Sequence, residues 1–508
     1  MNSKTLGNQI KKIFLVIAPL IALAFIFFID LDNENAAVSA TMGIAIWMAI
    51  WWVLEIVPLG ITSLLPVVLF PLFGVMNGKA VSAAYFNHVI FLFMGGFLVA
   101  LAIEKWNFHK RIALVILNVV GNSPGRLLFG FMLTTAFLSM WISNTATAML
   151  MVPIIISIVK KLEIINGKTA VKLFALGLLL SVAYSASIGG VATLVGTPPN
   201  LSLARIFEMY FPEAPEISFS KWMIFALPIT ILMFICTWCY IYLKFIKKGG
   251  AWKSIKRYEL KKELVALGRM SYEEKVMSVV FLLLALLWMF RVDIVIGSFT
   301  IFGWANLFEH PEYFNDGTVA IMMGIILFLI PSKTNKGSFL MDWKTAKKIP
   351  WDVILLFGGG FALALGFKES GLSAWFGQQL MFLKFVSPFI LILIITMLIT
   401  FLTELTSNTA TVETLLPILA GLAISVQINP LLLMIPATVA GSFAFMLPVA
   451  TPPNAIVFGT KRVSIIQMAK AGFWLNLIGI IITSLVTYFW GTQVFGFDLG
   501  VFPVWAGN

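Results

Sequence analysis

Charge is scarce in this chain. Of its 508 residues only 11% are Asp, Glu, Lys or Arg, against about a quarter in an ordinary soluble protein, and 60% are hydrophobic. With a mean hydropathy of +0.97, a row of three soluble domains, the usual expectation for this length, is excluded. Cysteine is nearly missing: Cys236 and Cys239 form a CxxC inside the apolar run from Met223 to Leu243, with no second pair to complete a metal site. They read as helix-packing residues. The three histidines, His88, His109 and His310, are too scattered for a metal cluster. The alternating ten-residue segments of a β-barrel are lacking, as is any constellation of nucleophile, base and metal that an enzyme would need. Although 35 Lys and Arg give a net charge of +12, they sit in connectors and not in an aromatic-interleaved patch, which argues against nucleic acid as a partner.

What the chain has instead is a succession of apolar runs of roughly 17 to 25 residues, long enough to cross a bilayer as helices that satisfy their own backbone hydrogen bonds. Connector charge orients them, because Lys and Arg accumulate on the cytoplasmic side. Lys4, Lys11 and Lys12 precede the first run, Ile13 to Ile29, and Asp30, Asp32 and Glu34 follow it, so the N-terminus is placed inside. Val38-Ser39-Ala40 resembles a signal-peptidase site, but the run is long for a signal segment and is read as a retained first helix. Lys105, Lys110, Arg111 and Arg126 mark one inside connector and Lys160, Lys161, Lys168 and Lys172 the next. Only Gly130 to Val159 lies between them, which makes that segment two thin crossings or a re-entrant hairpin. A second hairpin is expected over Pro388 to Val426. The dense basic stretch from Lys244 to Lys275 reads as a cytoplasmic helical arm at the headgroups or an ordinary positive-inside loop. The expected fold is an all-α polytopic membrane protein of eleven crossings and two hairpins, with the C-terminus outside and the bacterial inner membrane as its location.

The chain also repeats itself. Leu92-Phe93-Met94-Gly95-Gly96-Phe97 returns as Leu356-Phe357-Gly358-Gly359-Gly360-Phe361. Ser143-Asn144-Thr145-Ala146-Thr147 returns identically, after the same interval, as Ser407-Asn408-Thr409-Ala410-Thr411. Gly196-Thr197-Pro198-Pro199-Asn200 returns as Ala450-Thr451-Pro452-Pro453-Asn454. The second Gly-Gly-Phe helix is the fifth crossing after the first, and an odd step means that the copies point in opposite directions. Such an inverted repeat suits an alternating-access transporter, whose inward and outward states can be near mirror images.

The paired motifs carry chemistry. Ser-Asn-Thr inside an apolar hairpin is costly unless its polar atoms are used, and hydroxyls with an amide offer donors to an anion and oxygens to a small cation. Capping of the second half-helix by Ser or Asn is the structural alternative, weakened by the identity of all five residues in both copies. Thr-Pro-Pro-Asn interrupts a helix, exposing carbonyls that suit sodium and amino-terminal helix ends that suit anions. No intramembrane Lys or Arg is expected near either motif to hold a carboxylate, so substrate charge has to be balanced by helix ends, amides and bound cations. Glu404 and Glu413 flank the second tip where the first has Met140 and Met149; they are proton-binding candidates, with joining of the hairpin arms as the simpler role. Glu55, after Trp51 and Trp52, reads as interfacial.

These stretches, with Thr403-Glu404-Leu405-Thr406 before the second tip and Met446-Leu447-Pro448-Val449 before the second break, resemble the divalent anion/sodium symporter family. The resemblance spans nearly the whole chain. It implies a homodimer in which a transport domain slides like an elevator against a scaffold, importing succinate, malate or fumarate with sodium as the coupling ion. The segments expected are 1–126 (scaffold), 127–222 (first hairpin and broken helix), 223–384 (scaffold and basic arm), 385–460 (second hairpin and broken helix) and 461–508 (last helix). Carried over by motif, one sodium site uses Ser139, Ser143, Asn144 and the Gly196 carbonyl, and the other Thr403, Thr406, Asn408 and the Ala450 carbonyl. Substrate carboxylates would meet Ser143, Asn144, Thr145, Ser407, Asn408 and Thr409, with Thr197, Pro198, Thr451 and Pro452 shaping the pocket. Ala450 in place of a glycine means that the two sodium sites need not be equivalent. An exchanger of the same fold, a citrate or sulfate carrier and, more distantly, an anion channel are the competing readings.

Overall fold

The computed structural model describes residues 3–121, 123–247, 264–296 and 299–507. Eight helices among the described residues are long and apolar enough to cross a membrane, and shorter apolar helices such as Asp316–Leu329 and Pro388–Leu402 lie between them. Most of the basic stretch expected as an arm, including Lys253, Lys256, Arg257, Lys261 and Lys262, falls outside the described residues. The helical expectation holds for the described residues apart from an isolated β-bridge between Pro331 and Phe339 and a two-stranded hairpin, in which Ile294–Ile296 pairs antiparallel with Phe299–Ile301 and β-branched and aromatic residues follow one another.

Polar residues set where helices begin. Asn87 caps His88–Lys105 by accepting from the amides of Val89 and Ile90, and Asn315 caps Asp316–Leu329. Ser271 with Glu274, and Ser464 with Gln467, form reciprocal capping boxes. The second of these starts the last long helix at Ile465, a turn or two before the Phe473 that hydropathy alone suggests.

The repeat is visible element by element. His88–Lys105 corresponds to Trp351–Glu369, and each is followed by a left-handed residue, Asn107 (φ 56°) and Gly371 (φ 80°), that turns the chain into Phe108–Val120 and Leu372–Gln379. A Ser-Pro step then opens Pro124–Ser139 and Pro388–Leu402, with proline at the first helical position, where its missing N–H costs nothing. The chain turns at the Ser-Asn-Thr motifs into Asn144–Asn166 and Asn408–Val426, each with an internal proline, Pro153 and Pro417. With 16 and 15 residues, the first arms reach only about 24 and 22 Å, short of a hydrocarbon core of about 30 Å. Neither first arm is long enough by itself to cross that layer. The broken helices follow: Lys168–Val191 with Pro198–Tyr210, and Leu431–Ser442 with Pro452–Gly459. Each copy closes with a long helix, Phe219–Ile241 or Ile465–Val486, that runs into a π-helical turn.

The copies exchange partners. Pro198–Tyr210 packs on the second hairpin arm Asn408–Val426, while Pro452–Gly459 packs on the first hairpin arm Asn144–Asn166. Neither copy completes its own surroundings, so two hairpins and two broken helices form one interlocked body. Lys168–Val191 runs through it with nearly every side chain buried.

Candidate functional site

Each hairpin tip is tied to the break of its own copy by a hydroxyl five residues before the motif asparagine. In the first copy the Ser139 hydroxyl is bonded to Asn144 Oδ1 and lies 2.8 Å from the carbonyl oxygen of Ala186. Thr193 donates to the Met140 carbonyl at 2.5 Å. Two glycines allow the break to close on this point. A Cβ on Gly190 would stand 2.8 Å from Asn144 Oδ1, and one on Gly196 would run into the Gly190 carbonyl oxygen. The Ser139 hydroxyl, the Asn144 amide and the Gly196 carbonyl therefore gather around Gly190, leaving room only for backbone.

The second copy repeats the plan with different atoms. Thr403 Oγ1 donates to Asn408 Oδ1 at 2.7 Å, with the Gly441 carbonyl as an alternative acceptor at 3.1 Å. Ala444 and Ala450 stand where the first copy has Gly190 and Gly196. The threonine hydroxyl that stitches the first break is replaced by a carboxylate: Glu404 accepts from the backbone amides of Phe445 (2.7 Å), Met446 (2.8 Å) and Leu447 (3.0 Å) and from the Asn476 side chain (2.8 Å). Four donors on one carboxylate make Glu404 a joint between hairpin, break and last helix.

Asparagines of the Thr-Pro-Pro-Asn motifs hold the breaks open. Asn200 Nδ2 donates to the carbonyls of Thr193 (2.7 Å) and Val191 (3.3 Å), and Asn454 Nδ2 to those of Leu447 (3.0 Å) and Ala444 (3.1 Å). Both side chains are fully buried, and both amide oxygens are left without a donor. Carbonyls that would otherwise be orphaned at the interruption are thus satisfied locally, which is what an unwound segment needs at membrane depth. The half-helices that follow begin at Pro198 and Pro452 and point their amino-terminal ends back toward the interruption.

A family model described as the sodium:sulfate symporter transmembrane region matches residues 9–497. The chain belongs to this family. Sequence relatives agree: a sodium-dependent dicarboxylate transporter, SdcS, of Staphylococcus saprophyticus is 44% identical over 499 residues, covering 97% of this chain and 93% of its own. SdcS of Staphylococcus aureus (strain bovine RF122 / ET3-1) is likewise 44% identical, covering 96% of this chain and 93% of its own. Among solved structures, Neisseria gonorrhoeae MtrF superposes with a TM-score of 0.55 over 95% of this chain and 94% of its own at 11% identity, a likeness of fold. The family is the divalent anion/sodium symporter group that the motifs resemble, and its members are transporters, not enzymes.

Within this transporter the expected site residues fall into groups. Ser139, Asn144 and Gly196 come together, as do Thr403 and Asn408. Ser143, Asn144 and Thr145 are half-buried at the first tip, and Ser407 and Asn408 at the second, while Thr409 is buried. Thr197 and Thr451 lie buried at the breaks beside half-buried Pro198 and exposed Pro452. Two side chains are engaged in local bonds. Ser143 caps its own helix by accepting from the Ala146 amide at 3.2 Å, and the Thr406 hydroxyl bonds to the Leu402 carbonyl (3.0 Å) and Thr411 Oγ1 (2.5 Å). The bonding roles of Asn200, Asn454, Thr193 and Asn476 were not legible in the motifs. For the first two, the signal was present as the last letter of Thr-Pro-Pro-Asn. A cavity of about 660 Å³ lies apart from both tips, walled by His88, Glu208, Lys221, Arg291 and Asp316. Arg291 is spent there on Asp316 (2.6 Å) and Glu216 (2.5 Å), so it does not serve the tips. Cys236 and Cys239 are free thiols on Phe219–Ile241, and no group of His, Cys, Asp and Glu suited to a metal occurs among the described residues.

Proposed function

We propose that this protein imports C4-dicarboxylates, succinate, malate or fumarate, together with sodium across the bacterial inner membrane, with its N-terminus cytoplasmic and its C-terminus outside. The observation that carries the proposal is the pair of oxygen-rich nodes, Ser139–Asn144 beside Gly196 and Thr403–Asn408 beside Gly441, each set where a hairpin tip meets a helix break. Sodium-dependent dicarboxylate transporters at 44% identity over nearly the full length support the choice of ions.

The chemistry follows from which groups can change partner. Ser139 and Thr403 each have a backbone carbonyl, Ala186 at 2.8 Å and Gly441 at 3.1 Å, that can take over the hydroxyl proton. The asparagine oxygen and the hydroxyl lone pair are then free for a cation. An empty node presents oxygens and repels a carboxylate; a filled one presents positive charge. Asn144 and Asn408 side-chain amides, with first-turn N–H groups of the half-helices that begin at these residues, supply donors to the anion. Because none of the tip or break residues is cationic, dianion affinity depends on prior sodium binding, and this is symport. The interlocked body of hairpins and broken helices is the part that slides, as an elevator, against the remaining helices in a homodimer, and the opposed orientation of the two copies supplies the inward and outward states.

The test is uptake of labelled succinate into liposomes holding the purified protein, with and without an inward sodium gradient and with no dicarboxylate inside. Accumulation that requires sodium is expected. Entry only into vesicles preloaded with dicarboxylate would refute symport and make the protein an exchanger.

A further inference from the structure

We propose that Glu413 is a proton-binding site of the transport cycle, occupied when the second hairpin arm lies against the glycine-rich helix Trp351–Glu369. The inference rests on the sliding body described above. Glu413 stands on Asn408–Val426, five residues beyond the asparagine of the second node, and is fully buried. Its Oε1 accepts one hydrogen bond, from the Ser202 hydroxyl at 3.0 Å, and its Oε2 has no donor at all. Ser202 belongs to Pro198–Tyr210, the half-helix of the other copy, so the pair moves with the interlocked body. The opposite wall is Gly360 of Trp351–Glu369, where any Cβ would run into the Glu413 carboxyl group.

A carboxylate with one neutral donor and one bare oxygen in an apolar interior carries a large desolvation cost unless a cation accompanies it. Among the described residues no side chain supplies that cation. On Pro198–Tyr210, Arg205 is paired with Glu208 at 2.9 Å and the Tyr210 hydroxyl bonds to the Ala364 carbonyl and Ser373. On Trp351–Glu369, Lys368 bonds to the Met209 carbonyl, while Asp352 and Glu369 are exposed. Lys384, on the short helix Met381–Phe385, is exposed, and the other helices packed on this arm, Leu372–Gln379, Leu431–Ser442 and Ala36–Leu54, carry no charged residue. A metal cation would need several oxygens around it, whereas among the described residues the carboxyl has one hydrogen-bonding partner, the Ser202 hydroxyl. A proton needs one. Glycine at position 360 lets the neutral acid pass against bare backbone, so sliding requires protonation and the charged form holds the body on the side where Glu413 meets water. The first copy has Met149 at the corresponding position, 56% exposed, which confines the device to one half of the transporter.

The test uses fumarate, whose carboxylates stay ionised from about pH 6 to pH 8, so that substrate charge is constant. Initial sodium-driven uptake into proteoliposomes is compared across that range for wild type and Glu413→Gln. Wild-type rates are expected to fall by up to about tenfold per pH unit on the alkaline side, and Glu413→Gln, a permanent mimic of the neutral acid, to be flat. Equal pH slopes in the two proteins overturn the proposal. Ser202→Ala leaves the carboxyl in place and removes its one donor; a displaced pH profile is expected, and an unchanged one overturns the proposal even if the glutamine variant fails to fold. Wild-type uptake indifferent to sodium would instead refute the symport reading, since that readout is independent of the pH slope.

Discussion

Asn408→Ala separates holding the tip together from holding an ion. In the structure the side chain's recorded bond is to Thr403 Oγ1, at 2.7 Å, and Thr403 keeps a second acceptor in the Gly441 carbonyl at 3.1 Å. Removing the amide therefore leaves no orphaned donor, and the stability cost is that of one net hydrogen bond, about 1 kcal/mol. Loss of a ligand to a bound cation is dearer: hydrogen bonds to charged groups are worth about 1.5–3 kcal/mol, and a direct ion ligand falls at or above that range. This corresponds to roughly a 10- to 150-fold rise in the sodium concentration for half-maximal uptake. The assay is succinate uptake titrated with sodium, beside thermal unfolding of the same preparation without sodium. A variant with the wild-type sodium half-saturation would remove Asn408 from the ion node. One that unfolds far below wild type would show that the amide is chiefly structural.

Three further outcomes follow from the asymmetry of the copies and from one surface pair. Gly196→Ala is expected to abolish sodium-driven uptake, because its Cβ would run into the Gly190 carbonyl, whereas Ala450→Gly is expected to retain uptake; equal activities in the transport assay would refute the close approach. Glu404→Gln puts an NH₂ among four donors and is expected to destabilise the protein by about 1–3 kcal/mol, read as a lower unfolding temperature, without changing the sodium half-saturation. Asp342, hydrogen-bonded to Lys105 at 2.6 Å in a connector, is held down to about 2, chiefly by that bond. Its folded value is depressed, so its stabilisation is full above about pH 4 and disappears as pH falls toward about 2. The unfolding temperature of Asp342→Asn should thus sit below wild type by a constant amount from neutral pH down to about 5 and converge below that; a gap that widens in acid would contradict the pairing.

The sequence exposed what is locally improbable and concealed what depends on distant partners. Ser-Asn-Thr and Thr-Pro-Pro-Asn stand out because polar atoms and prolines are costly in apolar helices, and their duplication located both tips and both breaks. The Ser139 and Thr403 hydroxyls came from the family resemblance, and the structure sets each against the motif asparagine five residues on. Glu404 could be weighed as a joint but not placed, because the amides it accepts from come some forty residues later, at Phe445, Met446 and Leu447. The small hairpin Ile294–Ile296 with Phe299–Ile301 escaped for the opposite reason: three-residue strands are too short to show a period.

The two copies are alike in plan and unlike in the atoms that execute it, and the difference has a direction. The first break is closed by glycine against glycine and a neutral Thr193 hydroxyl, the second by alanines and a carboxylate with four donors. Backbone packed on backbone tolerates no added atom but is held by weak bonds; a carboxylate joint is held strongly and leaves room for methyl groups. In the first node Asn144 and Ser139 are bonded to each other, with the Ala186 carbonyl beside the serine. The second tip is anchored through Glu404 to its break and to the last long helix. On the proposed reading, the first node, which lacks a joint like that of Glu404, is the one whose tip is freer to shift against its break. With two sodium nodes as proposed, unequal tips bind their ions with unequal affinity and each ion's binding is coupled reciprocally to that of the dianion, while the direction of net transport is left to the gradients.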